Sequence, residues 1–303
     1  MGNPIFAIPT LKAIHKSKHD LMAIVSNAPK PMGRGQFIRS TPVGQYARDH
    51  SIKLFEASSL KQNNLKEKLM ELNPDIFVVV AFRILPNSLI ELPRYGSINL
   101  HASLLPKYRG AGPIQWALMN GDKKTGVTIF QLKKEIDTGD ILMQKEIEIY
   151  DDDDMLSLGM RLCEEGANLV IKTINKIQNG SISRIMQNSD LVSHAPKITK
   201  DNTFIDWSWD NIKIHNWIRG LSPNPGMITT IQGKQLKIFK SWIIEGDTQN
   251  PGMVVKSSEN SLIISTGRGL LSLLELQIEG KKRMMIEKFL RGINIKPGEI
   301  LGI

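Results

Sequence analysis

The 303-residue sequence predicts an α/β domain with a mostly parallel sheet, followed by a small, strand-rich second domain. Three observations lead there. Up to about residue 180, helical stretches alternate with short apolar runs, the order expected of a doubly wound, Rossmann-like fold. The run Asp75-Ile-Phe-Val-Val-Val-Ala is apolar without alternation, as a strand covered on both faces must be. Beyond residue 200 the pattern changes to short alternating strands with Gly and Asn turns: PGMITTIQGKQLKIFKSWII, GMVVKSSENSLIISTG and LLSLLELQIEG. That spacing suits a small β-barrel of the oligonucleotide-binding (OB) type. The chain thus reads as a domain over 1–180, a polar crossing without periodicity over 181–200, and a second domain over 201–303.

In order, a helix is expected around Ile8 to Ser17, a strand at Leu21 to Ser26, a helix near Pro42 to His50 and a strand at Lys53 to Phe55. The apolar strand that opens such folds, central and paired on both sides, does not precede Met1-Gly-Asn-Pro. Its loss would leave a slot in the sheet, and a start codon placed too far downstream or a truncated gene is expected. Asn27 to Pro42 is longer than an ordinary loop and carries Lys30, Arg34 and Arg39 among glycines and prolines. Strands at Ser97 to Leu100 and Gly126 to Leu132 flank a helix from about Gly112 to Met119. The acidic run Asp151 to Asp154 reads as a solvated helix start. The helix it opens repeats Leu158, Leu162, Leu169, Ile174 and Ile177 at core spacing, and Asn179-Gly180 ends it.

Composition narrows the function. Hydrophobic residues make up 41% and charged residues 23%, ordinary for a chain that buries a sizeable core. No basic stretch leads into an apolar core at the amino terminus, and no window approaches the ~18 continuous apolar residues of a membrane helix. A single cysteine, Cys163, excludes an internal disulfide and points to a reducing cytoplasm; in its helical pattern it reads as a small core residue. The net charge of +9 favours a polyanionic partner, and residues 181–303 hold sixteen Lys and Arg against eleven Asp and Glu, +5 of that total.

Two motifs carry chemistry. GSINLHASLLPKYRG, from Gly96 to Gly110, places Asn99 and His101 two residues apart, on one side of a strand that is about to end. Loops at the carboxyl ends of strands hold function while the sheet keeps them still. IDTGDIL, from Ile136 to Leu142, adds Asp137 in a Thr-Gly turn. An amide donor, an imidazole and a carboxylate form an acyl-transfer set: one group for an oxyanion, one to move a proton and one to orient the imidazole. Taken singly, a strand-end Asn or His more often caps a turn than performs a reaction.

N-x-H-x-S-L-L-P followed some thirty residues later by D-T-G-D resembles the formyltransferase family that uses 10-formyltetrahydrofolate. The likeness runs through SLLPKYRGAGPIQWALMNGDKKTGVTIFQLKKEIDTGDIL and continues in WSWDNIKIHNWIRGLSPNPG and KKRMMIEKFLRG, nearly the whole chain. It implies catalysis by Asn99, His101 and Asp137. It also implies a folate pocket walled by Ser103, Leu104, Leu105 and Pro106 with Phe82 and Ile84 of FRILP, a loop one residue shorter than the family's usual version. The implied co-substrate is 10-formyltetrahydrofolate, with no metal. The implied acceptor is initiator methionyl-tRNA, met by the second domain and by Arg34 and Arg39 of a basic loop, in a monomer away from membranes. Within the family, glycinamide ribonucleotide or a sugar-nucleotide amine are alternative acceptors, and a catalytically inactive folate or tRNA binder is the alternative outside it.

Overall fold

The computed structural model describes residues 1–32, 35–61 and 63–302. The strands are β1 (Ile24–Asn27), β2 (Lys30–Met32), β3 (Phe37–Arg39), β4 (Leu54–Ala57), β5 (Phe77–Val80), β6 (Ser97–His101), β7 (Arg109–Gly110), β8 (Lys124–Gln131), β9 (Ile141–Glu148), β10 (His194–Ala195), β11 (Met227–Ile231), β12 (Lys234–Ile244), β13 (Val254–Ser258), β14 (Ser261–Ser265), β15 (Leu270–Ile278) and β16 (Met284–Met285). The helices are α1 (Ile8–His15), α2 (Pro42–Asp49), α3 (Asn63–Met70), α4 (Asn87–Ile90), α5 (Pro113–Met119), α6 (Met155–Gln178), α7 (Asn211–Leu221) and α8 (Ile286–Leu290). They form two units, one of Met1–Gly110, Lys124–Glu148 and Gly159–Ala195, the other of Ala111–Lys123, Ile149–Leu158 and Pro196–Ile303.

In the first unit, β5 pairs in parallel with β6, and β8 and β9 follow antiparallel, giving the order β5-β6-β8-β9. Phe77, Val79 and Val80 are buried, as the unbroken apolar run requires. The parallel pair β1 and β4 stands apart from these four strands. Among the described residues, Met1 and Gly2 run in the gap between them: Gly2 N donates to Val25 O (3.1 Å) and Val80 N to Met1 O (2.9 Å). Leu21 to Ala23, expected as strand, lie outside β1 and line the cavity left there. α6 covers the sheet with Leu162, Leu169 and Ile174, and a side chain at Gly166 would collide with Leu100 of β6. Gly180, at φ +67°, follows the helix end.

Two expectations change on folding. The basic segment after β1 is partly regular, because β2 and β3 pair as an antiparallel ribbon, Lys30 opposite Arg39. Residues 181–195 are no bare connector. Ile185 exchanges two backbone hydrogen bonds with Ile141 (2.8 and 2.9 Å), and β10 pairs in parallel with β7. Backbone pairing leaves no hydrophobic period, so the segment reads as polar coil in sequence.

The second unit is mostly strand: an antiparallel sheet in the order β11-β12-β15-β14-β13, with β16 on β15. Alternate residues such as Leu236, Ile238, Leu262, Ile264, Leu271 and Leu273 enter its core, against Ile214, Ile218 and Leu221 of α7. Asp210 caps α7, accepting from Lys213 N (2.7 Å). The acidic run also behaves differently from a solvated start. Asp154 Oδ1 caps α6, but the carbonyls of Tyr150 and Asp153 accept from the buried Arg219 guanidinium (3.0 and 3.2 Å), whose positive charge faces Asp151, Asp152 and Asp153.

Candidate active site

β6 ends at His101, and strand alternation puts Asn99 and His101 on one side of it. Asn99, opposite Val79 and Phe130, is half-buried, and its amide has no protein partner among the described residues, so it is free to donate. His101 is 6% exposed, edge-on to Phe130, with Nε2 2.9 Å from the Tyr108 carbonyl. A carbonyl only accepts, so Nε2 carries a hydrogen, and in the neutral ring Nδ1 is the nitrogen with a free lone pair. Nδ1 lies 3.8 Å from Asp137 Oδ2, beyond hydrogen-bond reach. The ring is therefore held by Tyr108, whereas the sequence reading gives the task of orienting it to Asp137.

Asp137 sits in a tight turn at φ +56°, a left-handed conformation that Asp tolerates better than bulkier residues. Its Oδ2 accepts from Gly110 N (2.9 Å). Gly139 admits no side chain, because a Cβ there would lie 1.6 Å from Gln131 O. The turn is clamped from a distance in sequence. Gln187 Nε2 donates to Asp137 O (2.9 Å) and Gly139 O (2.8 Å), while its Oε1 accepts from Arg109 Nε (3.1 Å) and Nη2 (2.7 Å). Sequence reading missed Tyr108, Arg109 and Gln187. A backbone acceptor leaves no trace in side-chain pattern, and Gln187 lies fifty residues after the turn it holds.

The SLLP loop is stitched to the neighbouring strands. Ser103 is fully buried and its hydroxyl donates to Lys107 O (2.6 Å). Thr128 Oγ1 donates to Ser103 O (2.6 Å) and accepts from Leu105 N (3.1 Å), and Gln144 Nε2 donates to Leu105 O (2.7 Å). Leu105 is buried; Leu104 and Pro106 are half-buried. Because Val80 is in register with Leu100, FRILP leaves the sheet beside His101. Phe82 is half-buried under the Arg83 guanidinium and Ile84 is 70% exposed. Arg83 donates to Ala57 O (2.7 Å) and Ser58 O (2.8 Å), fixing the loop. A cavity of about 400 Å³ opens between residues 58–61 and 83–86.

Arg39 is exposed at the end of the ribbon, beside Phe37 and Ile38 at 69% and 75% exposure; Arg34 lies outside the described residues. Burial pushes the Cys163 thiol up to about 11, which suits a core residue and not a nucleophile. Among the described residues no group of His, Cys, Asp or Glu is arranged to hold a metal, and no helix is long and apolar enough to cross a membrane.

Residues 1–174 match the Formyl transferase family, and residues 197–294 match Formyl transferase, C-terminal domain. The chain belongs to the formyl transferase family. Among curated relatives, the methionyl-tRNA formyltransferase of Alkaliphilus oremlandii is 42% identical over 304 residues, covering all of this chain and 98% of that one. That of Agathobacter rectalis is 41% identical over 300 residues, covering 98% and 97%. Among solved structures, the N-formyltransferase from Helicobacter canadensis, in complex with folinic acid and dTDP-3-aminofucose, superposes with a TM-score of 0.69 at 25% identity, covering 90% of this chain and 96% of that one. As a formyl transferase, the chain has its second family domain in the strand-rich unit and its D-T-G-D turn, with the Gln187 clamp, in the first.

Proposed function

We propose that this protein transfers the formyl group of 10-formyltetrahydrofolate to the α-amino group of methionyl-tRNA, giving N-formylmethionyl-tRNA for translation initiation, and tetrahydrofolate. The observation that carries this reading is the end-to-end match, at 37–42% identity, to proteins named methionyl-tRNA formyltransferase. The match includes the strand-rich unit.

The neutral amine attacks the formyl carbon, the new C–N bond forms, and the bond to the folate nitrogen breaks as one proton passes from the amine to that nitrogen. The free Asn99 amide donates to the formyl oxygen as negative charge develops on it, a contribution worth roughly 3 kcal/mol in a water-excluded site. His101, its ring fixed through Nε2, presents Nδ1 for the proton transfer, and Asp137 offsets the positive charge this creates. Phe82 and Ile84 with Leu104 and Pro106 offer apolar surface to the folate, and Ser103 and Leu105 hold that wall rigid. Arg34 and Arg39 meet tRNA phosphates, and the enzyme works as a monomer. The test is formyl transfer from 10-formyltetrahydrofolate by the purified chain to methionyl-tRNA, glycinamide ribonucleotide and a dTDP-amino sugar in parallel. Methionyl-tRNA should be formylated with a kcat/KM at least a hundredfold above the others; preference for either small amine would overturn the assignment.

A further inference from the structure

Arg109 is a cation for which the first unit provides no counter-charge. It opens β7, after the loop that leaves His101, and its side chain is half-buried. Nε and Nη2 both donate to the amide oxygen of Gln187 (3.1 and 2.7 Å), a neutral acceptor. Among the described residues no carboxylate pairs with it. Asp137, whose carbonyl oxygen accepts from the same Gln187 amide, turns its Oδ2 to Gly110 N and towards His101 instead. The cross-strand neighbour on β10 is His194, which is exposed and brings no negative charge. A guanidinium carries five N–H donors in a planar fork, and Gln187 takes two of them. The edge formed by Nη1 and the second Nη2 hydrogen is therefore held in one orientation and left for an anion. One side-chain amide links this edge to the backbone of Asp137.

We infer that Arg109 binds the phosphate of the terminal nucleotide of the acceptor strand and thereby sets the methionyl amine beside Asn99. The inference rests on methionyl-tRNA as the acceptor. Phe82 and Ile84 follow β5, on one flank of β6, whereas Asp137, Gln187 and Arg109 gather on the other, where β8 and β9 lie and Ile185 bonds Ile141. Asn99 and His101 on β6 stand between the two flanks. With the folate on the β5 flank, the amine comes to the formyl carbon from the flank of Arg109. In methionyl-tRNA the amino acid is esterified to the ribose of the last nucleotide, and that nucleotide's own phosphate is the first anion met along the strand from the amine. It is the anion within range of a side chain tied to the Asp137 turn. An arginine fork matches two phosphate oxygens with two donors, and a half-buried position, with less competing water, strengthens both bonds.

The test measures methionyl-tRNA binding and formyl transfer over a range of salt for the wild-type chain, Arg109→Gln, Arg109→Lys and Gln187→Leu. Arg109→Gln should weaken methionyl-tRNA binding about fivefold or more at low salt and lower the log–log salt slope by about 0.7, the share of one phosphate on an unpaired strand. Arg109→Lys and Gln187→Leu keep the positive charge and should keep the wild-type slope. The contrast is informative because Arg109→Gln and Gln187→Leu break the same side-chain bond. A residue that only braced Gln187 would make the two variants alike, lowered in kcat and unchanged in slope. The wild-type protein covers the case in which Arg109→Gln folds poorly: it should formylate 3′-O-methionyl-adenosine 5′-phosphate with a kcat/KM about fivefold or more above that for 3′-O-methionyl-adenosine. Folinic acid affinity should change less than about twofold in Arg109→Gln. Equal slopes in the wild type and Arg109→Gln, or equal use of the two fragments, would overturn the inference. So would a loss of folinic acid affinity in place of tRNA affinity, since the guanidinium would then hold a glutamate carboxylate of the folate. Failure of the wild type to formylate methionyl-tRNA would instead remove the acceptor reading, and this inference with it.

Discussion

Asn99 and His101 differ in what surrounds each. Among the described residues the Asn99 amide has no partner, so its hydrogen-bonding capacity is available to a ligand oxygen, whereas His101 is committed through Nε2 to Tyr108 O. Asn99→Ala should therefore lower kcat about a hundredfold or more while the dissociation constant for a folate analogue changes less than threefold, since the lost donor acts chiefly once charge develops. Steady-state kinetics with an independent folate-binding titration check this; a loss of folate affinity as large as the loss in kcat would make Asn99 a structural residue. The catalytic candidates were legible because side-chain type and two-residue spacing at a strand end carry chemical meaning. The placement of the imidazole was not, because it depends on a carbonyl of Tyr108 that any residue in that position would present.

At the scale of elements, the segment 181–195 acts as a strap on the D-T-G-D turn. Its polar, aperiodic sequence reads as a connector because it is held by two backbone bonds at Ile185, by β10, and by one buried side chain, none of which produces a pattern. Gln187→Leu removes two donors from Asp137 and Gly139 and the acceptor of Arg109, at a cost on the order of 2–4 kcal/mol. The variant should remain folded below its lowered Tm and lose at least tenfold in kcat with KM for methionyl-tRNA nearly unchanged. Unaltered kcat would mean that the strap does not position Asp137. A second element has a pH dependence. On α7, burial and then the Arg219 charge pull His215 down to about 4 from its ordinary 6.5, while Asp151 acts the other way. Between these values the unfolded chain binds a proton that the native chain refuses, so this contribution is complete above pH 6.5, falls as the pH drops, and reaches a loss of about 3 kcal/mol near pH 4. Denaturant unfolding at pH 7.5, 5.5 and 4.5 should show this slope, and His215→Gln should reduce it. An identical slope in the variant would remove His215 as its source.

Across the whole molecule, the change of pattern near residue 200 was legible because short alternating strands and long apolar helices differ in period. The interleaving was not, because α5 and residues 149–158 fall with the strand-rich unit through tertiary packing alone, as in the Arg219 contacts to Tyr150 and Asp153. This interleaving matters for testing the role of the strand-rich unit. Cutting the chain near Ser193 would strip β10 and the Ser193 hydroxyl that accepts from Tyr108 N, and would uncover Ala117, Leu118 and Met119, so loss of activity would say nothing about tRNA. The intact chain supplies a cleaner measurement. With a net charge of +9, of which the residues after 180 hold +5, lysines and arginines that meet tRNA phosphates release counterions as they bind. For on the order of five such contacts, raising salt from about 50 to about 200 mM should weaken methionyl-tRNA binding by roughly two to three orders of magnitude. A folate analogue held mainly by apolar surface should lose less than about threefold over the same range. Arg39→Ala, at an exposed ribbon position, should reduce the log–log salt slope by about one and leave the folate titration unchanged. A flat salt response of methionyl-tRNA binding would show that phosphates are not what the basic surface meets, and would return the choice of acceptor to the small amines.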